Sequence, residues 1–175
     1  MLYYGNLPTP TSPSTWWQPV GNMGASIFDD VVELQDGRLL GVGTDKALYT
    51  NKLNGNTVAV PWWTQLDMKG RLVTKITQLQ DGRLLAVGTD QRLYTNTLPL
   101  GSNVLGGPWV SVSGVNSGWL QDVEEVSAGI ILAVGTCPIG CLYITTLASG
   151  SNAVDPWKAV EMNGGFVKSI IQATI

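Results

Sequence analysis

Apolar and polar positions along the chain change over in short runs, none longer than a β-strand needs. Residues 73–79 form one such run, the Asp81-Gly82 turn follows, then residues 84–89, a second turn at Asp90-Gln91, and residues 93–97. The runs are rich in Val, Leu, Ile, Thr and Tyr and end at Gly, Asp, Asn or Pro, the pattern of strands joined by tight connections. No segment sustains a 3.6-residue apolar period, so no helix is predicted. Asp-Gly between two apolar runs predicts a type I′ hairpin, in which both central residues take positive φ.

The runs recur. LQDGRLLGVGTDKALYTNKL at 34–53 returns as LQDGRLLAVGTDQRLYTNTL at 79–98, and more loosely as VSAGIILAVGTCPIGCLYITTL at 126–147. The glycine of the Val-Gly-Thr triplet stands at Gly43, Gly88 and Gly135, and a strand-opening tryptophan at Trp17, Trp63, Trp109 and Trp157, spacings of about 46 residues. Four strands per unit at this period predict the blade of a small β-propeller, an all-β fold of four-stranded antiparallel blades, with a β-sandwich or β-prism of repeats as the alternative. The single domain, 1–175, divides into units at approximately 16–53, 62–98, 108–147 and 156–175 plus 2–7. Residues 2–7 match a fourth strand and 166–175 a second strand, so the N-terminal strand is expected to close the last blade. The counterpart of GRLLAVGT is missing from that unit. Either the blade has three strands, or a second copy fills the edge in a homo-oligomer, or the ring is built from several chains.

Composition narrows the function. Charged residues are 13% of the chain, hydrophobic ones 44%, and the net charge is −3 with no basic cluster, which argues against nucleic acid as a partner. No apolar run is long enough for a membrane span, and the start lacks the layout of a signal peptide, so the chain reads as soluble and, if secreted, already mature or signal-less. Histidine is absent, there is no nucleophile elbow or phosphate loop, and carboxylates recur as turn residues. Enzymatic activity, a cofactor and a metal site are therefore not expected.

A Trp run ending in a glycine turn, an apolar strand, a Gly-x-Leu-Leu-Ala-Val run and a short Leu-Tyr strand, here 63–70, 72–79, 82–87 and 93–94, resemble the repeats of tachylectin-type, tectonin-related β-propeller lectins. The resemblance spans nearly the whole chain. It implies a multivalent lectin for N-acetylated sugars of the N-acetylglucosamine or N-acetylgalactosamine type, with one shallow site per repeat between blades. Four countable units, against the family's five blades, and Val-Thr-Lys-Ile-Thr in place of a Phe-rich second strand depart from the pattern.

Sugar sites combine an aromatic face with carboxylate and amide groups, and the repeats offer two equivalent sets: Asp45, Tyr49 and Asn51, and Asp90, Tyr94 and Asn96. The competing reading makes both aspartates turn formers. The four repeated tryptophans read as packing between blades. Trp62 and Trp119, which the repeat does not require, are candidates for stacking on a sugar ring. Arg38 and Arg83 read as solvated turn residues, and Asp29, Asp30, Asp122, Glu124 and Glu125 as solvated carboxylates. Cys137 and Cys141 flank a two-residue insertion and either close a disulfide, which favours an extracellular setting, or remain free thiols. The alternative to the lectin is a structural or protein-interaction propeller, a subunit of a larger assembly.

Overall fold

The computed structural model describes residues 3–4, 18–19, 27–54, 57–59, 62–115, 119–136, 141–162, 165 and 167–170. Its strands are β1 (Tyr3–Tyr4), β2 (Gln18–Pro19), β3 (Phe28–Glu33), β4 (Arg38–Gly43), β5 (Leu48–Asn54), β6 (Thr57–Val58), β7 (Thr64–Gln65), β8 (Val73–Gln78), β9 (Arg83–Gly88), β10 (Leu93–Thr97), β11 (Val110–Ser111), β12 (Leu120–Ser127), β13 (Ile130–Gly135), β14 (Cys141–Thr146) and β15 (Lys158–Ala159). They make three antiparallel meanders, β3-β4-β5-β7 with β6 beside the end of β5, β8-β9-β10-β11 and β12-β13-β14-β15. The fold is all-β, with no helix among the described residues.

Each tryptophan strand enters the sheet that precedes it. Tyr49 faces Gln65, Tyr94 faces Ser111 and Tyr143 faces Ala159. The sheets therefore run one strand out of phase with the sequence units, and every sheet takes its outer edge from the next unit. The inner strands lie side by side, β3 against β8 and β8 against β12. This stacking explains why β9 reads as continuous Leu-Leu-Ala-Val with no polar alternation. Leu84 and Ala86 enter the core shared with the first sheet, while Leu85 and Val87 enter the core shared with the third, because successive side chains leave opposite faces.

The Asp-Gly turns are not of type I′. Positive φ is confined to Gly37, Gly82 and Gly129, at 75°, 85° and 72°, and the Gly37 and Gly82 amides donate back to the carbonyls of Leu34 and Leu79 at 2.8 Å. One left-handed residue closes a longer turn, so the third unit can turn at Ala128-Gly129, where the glycine is kept and the aspartate is not.

The arginines of these turns are latches and not solvated side chains. Arg38 and Arg83 are only 11% and 13% exposed. Arg83 pairs with Asp81 at 2.8 Å and donates to the carbonyls of Ser151 and Ala148, on the loop following β14 of the next sheet. Arg38 pairs with Asp36 at 2.7 Å and donates to the carbonyls of Ser102 and Pro99, on the loop following β10. The loops answer with amides: Gly101 donates to Asp36 at 3.1 Å and Gly150 to Asp81 at 3.0 Å. Both loops carry Gly-Ser-Asn, at 101–103 and 150–152. Sequence reading missed the partnership because the two halves stand more than 60 residues apart.

Of the inner-strand acids read as solvated, Asp29 is exposed as expected, whereas Asp30, Asp122, Glu124 and Glu125 are buried or half-buried, which corrects their reading. Asp122 and Glu125 are each 4% exposed. Neighbouring sheets meet through these strands, and the carboxylates bridge them. Asp30 accepts the Ile76 amide and Asp122 the Ile170 amide, both at 2.9 Å, and Glu125 accepts the Gln80 and Gly129 amides. Lys75 is the cation here, 3.5 Å from Asp30. Glu124 accepts a hydrogen bond from Thr77 at 2.7 Å; burial, assisted by the charges of Asp122 and Asp30, pushes its carboxyl up to about 7. An acid with a raised pKa takes up a proton on folding, so its contribution to stability falls as pH rises from 4.5 towards 7. Glu124→Gln is expected to flatten that slope and, above pH 7, to stabilise the chain by ~1–2 kcal/mol after allowance for solvent screening. Urea titrations at pH 5 and pH 8 check it; an unchanged wild-type-to-variant difference across the two would refute the assignment.

The N-terminal strand does not close a sheet with the C-terminal segment among the described residues. Tyr3 and Tyr4 pair instead with Pro19 and Gln18, the same Leu-Tyr to Trp-strand pairing found in the other three units. Residues 167–170 hold the place of an inner strand, as the Ile170 bond to Asp122 shows by its likeness to the Ile76 bond to Asp30. Among the described residues no ladder joins these two halves, and no closed ring is observed. The remainder of residues 2–7 and 166–175, and Trp17, lie outside the described residues.

Candidate functional site

The turns after the first two Val-Gly-Thr triplets set an aspartate and a tyrosine over the triplet glycine. In the first sheet the backbone closes through Gly43 N to Ala47 O, 2.9 Å, and Asp45 bends back to accept the Ala47 amide at 3.1 Å. The Tyr49 hydroxyl donates to the other Asp45 oxygen at 2.6 Å. Both side chains lie over Gly43, where an added Cβ would stand 2.5 Å from Asp45 Oδ1 and 2.8 Å from Tyr49 Cε2. Gly88 gives the same two distances to Asp90 and Tyr94, and the Tyr94 hydroxyl donates to Asp90 at 2.6 Å. The triplet glycine is therefore the floor on which the Asp-Tyr pair rests.

Electrostatics follow from these bonds. The Tyr49 hydrogen bond, foremost, holds Asp45 below the ordinary carboxylate value, and Tyr49 is raised in turn by the same bond. Desolvation pushes Asp90 up, but hydrogen bonds from Tyr94 and the Arg92 amide, with the charge of Arg71, outweigh it and leave it lowered. Both aspartates are ionised at neutral pH.

The three sheets differ in what lies against this tyrosine. In the first sheet Ile27, Phe28, Gly43, Thr44, Asp45 and Tyr49 enclose about 280 Å³. Phe28 meets Tyr49 edge-on at 6.1 Å and leans on Trp63 at 4.2 Å. Phe28 fits because Gly41 lies beneath it, where a Cβ would come within 2.6 Å of the ring; at the positions of Phe28 and Gly41 the second sheet has Val73 and Ala86, and the third Leu120 and Ala133. In the second sheet Arg71 lies 3.7 Å from the centre of the Tyr94 ring and 3.1 Å from Asp90. In the third, Trp119, Tyr143 and Trp157 line a depression of about 580 Å³, the Trp119 ring 4.5 Å from Tyr143 and 5.7 Å from Trp157.

The residues expected from the sequence divide accordingly. Asp45 with Tyr49, and Asp90 with Tyr94, come together, and Trp119 joins the equivalent place in the third sheet. Asn51 and Asn96 do not: they are 7% and 6% exposed, and their amides donate to the carbonyls of Trp62 and Gly107 at 3.4 and 3.0 Å. They tie the strand to the loop beside it. Trp62 is 78% exposed and lies apart from the depressions. Cys141 is disulfide-bonded; the chain's one other cysteine, Cys137, lies outside the described residues. Of the repeated tryptophans, Trp109 packs against the first core and Trp157 against the second, and Trp63 meets Phe28. Trp109 donates to the Met68 carbonyl at 3.1 Å, whereas the indole nitrogens of Trp63 and Trp157 are buried without an acceptor among the described residues. Phe28, Arg71 and Tyr143 escaped sequence reading; the triplet glycine beside every Leu-Tyr strand was the available signal.

No family model matches the chain, and no curated protein sequence matches it. Among solved structures it is similar to one described as YCF48 bound to D1 peptide, at 13% identity and a TM-score of 0.51, over 77% of this chain and 40% of that one. The chain thus spans about two-fifths of that structure. What the two share is a β-propeller-like fold.

Proposed function

We propose that the chain is a non-enzymatic interaction module that binds an extended segment of a partner protein across its depressions. The observation that carries the reading is their inequality. A lectin working through several weak sites gains from repeating one site, but here the first sheet has an Asp-Tyr pair beside Phe28, the second has Arg71 over its Asp-Tyr pair, and the third has Trp119, Tyr143 and Trp157 beside Val154 and Pro156. Different neighbouring pockets suit one asymmetric ligand, whose successive side chains meet different surroundings. The similar solved structure holds a peptide, in keeping with what such a fold can accommodate. The disulfide at Cys141 supports an oxidising, extracellular setting.

The lectin reading keeps one observation in its favour. Asp45 and Tyr49 set hydrogen-bonding groups beside the Phe28 ring, as a single sugar site for an N-acetylated sugar requires. Panning a displayed library of random linear peptides against the folded chain, alongside a glycan array, separates the two. A consensus peptide motif with one-to-one binding and an empty array is expected; retention on N-acetylglucosamine or N-acetylgalactosamine with no peptide enriched would overturn the proposal.

A further inference from the structure

The second sheet carries a filled version of the site that, among the described residues, the first leaves open. The turns are the same: hydroxyl to carboxylate at 2.6 Å in both, a glycine floor at the same two distances, and left-handed residues at Lys46 and Gln91 with φ of 67° and 62°. On Tyr94 lies the guanidinium of Arg71, stacked on the ring at 3.7 Å and paired with Asp90. Against Tyr143 packs the indole of Trp119, edge-on with ring centres 4.5 Å apart. Arg71 stands two residues before the first residue of β8; two residues before the first residue of β3 the sequence has Ser26, which has no charge and no plane. The cation nearest in sequence to Asp45, Lys46, is engaged by Asp29 at 2.6 Å. Among the described residues Asp45 is in no ion pair.

We propose that the first depression receives an arginine side chain of the partner segment, its guanidinium laid on Tyr49 and paired with Asp45, in the arrangement that Arg71 adopts on Tyr94 and Asp90. The assignment rests on the peptide-binding reading above and names what that peptide must carry. A guanidinium is suited to the place because it is planar, stacks on an aromatic face and meets a carboxylate with directed hydrogen bonds, whereas a lysine ammonium offers a point charge without the plane. Ile27, 69% exposed on the rim, and Phe28 give the arginine methylenes apolar surface to lie along.

The test uses the full chain, labelled with nitrogen-15, titrated with N-acetyl-arginine-N-methylamide and with its neutral citrulline isostere. Arginine is expected to move the amides of Gly43, Thr44 and Tyr49 and to leave those of Gly88, Thr89 and Tyr94 in place, with citrulline at least about tenfold weaker. Arg71→Ser is expected to open the second site, adding shifts at Gly88, Thr89 and Tyr94. Asp45→Asn removes the first set only. Equal binding of arginine and citrulline, or no arginine shifts at Gly43 and Tyr49, overturns the assignment. If arginine-free peptides from the display library still bind, the interaction module stands while the arginine site falls. If N-acetylglucosamine moves the first-sheet amides and arginine does not, both fall together.

Discussion

Replacing Arg83 with alanine is expected to destabilise the chain by ~2–4 kcal/mol, the range for breaking an enclosed charge pair that also holds backbone carbonyls. The side chain serves Asp81 and the carbonyls of Ser151 and Ala148 at once, and its removal leaves the carboxylate with amide donors alone. Arg83→Lys is not expected to rescue, because an ammonium cannot reach two loop carbonyls and a carboxylate in one plane. The loss should depend on pH. Desolvation raises the Asp81 carboxyl, but the Arg83 side chain and the Gly150 and Arg83 amides outweigh it and hold it at about 2. A lowered acid stabilises the folded state fully above its unfolded value near 3.8, and that contribution is lost as pH falls towards 2. The urea midpoints of wild type and variant should therefore differ more at pH 7 than below pH 4, where the carbonyl bonds of Arg83 remain. A difference independent of pH would show that the arginine acts through those carbonyls and its packing and not through Asp81.

Gly135→Ala comes next in expected size. A Cβ there would stand 2.4 and 2.6 Å from two atoms of the Trp119 ring and 3.0 Å from Tyr143. The indole must leave its place between Tyr143 and Trp157, and overpacking of this kind costs ~1–3 kcal/mol. Gly43→Ala meets only the far ends of Asp45 and Tyr49, which can swing towards solvent, so its stability loss should be smaller. Thermal melts order the two variants, and near-ultraviolet circular dichroism reports the broken tryptophan contacts in the first. The reverse order would mean that the aromatic triad has room to shift as a body.

Much of the architecture was legible in the repeat. Period, strand content and the positions of the turns followed from Leu-Gln-Asp-Gly-Arg-Leu-Leu and Val-Gly-Thr, because a tight turn and a buried strand each demand particular residues locally. Sheet membership was not legible. The tryptophan strands pair backwards, with Tyr49, Tyr94 and Tyr143, and nothing in a periodic sequence marks where one sheet ends and the next begins. Enclosed charge was hidden for a related reason: Arg38, Arg83, Asp30 and Asp122 look like surface residues until their partners arrive from another sheet. At the candidate site, Asp45 and Tyr49 could be read because repetition placed them together. Asn51 was misplaced because it shares their run yet turns to the Trp62 carbonyl. Arg71 was overlooked because it lies in the connection before β8, outside the most repeated segment.

The borrowed outer strands and the forward-reaching arginines bear on how such a chain can be copied. A unit duplicated by unequal crossing-over brings a strand for the sheet behind it, three strands for a sheet of its own, and an arginine for the Gly-Ser-Asn loop ahead. The array can thus lengthen or shorten by whole periods wherever the break falls. A single repeat cut out alone would keep a bare edge and an arginine with nothing to hold. Heredity here works on a period; stability belongs to the seam between two of them.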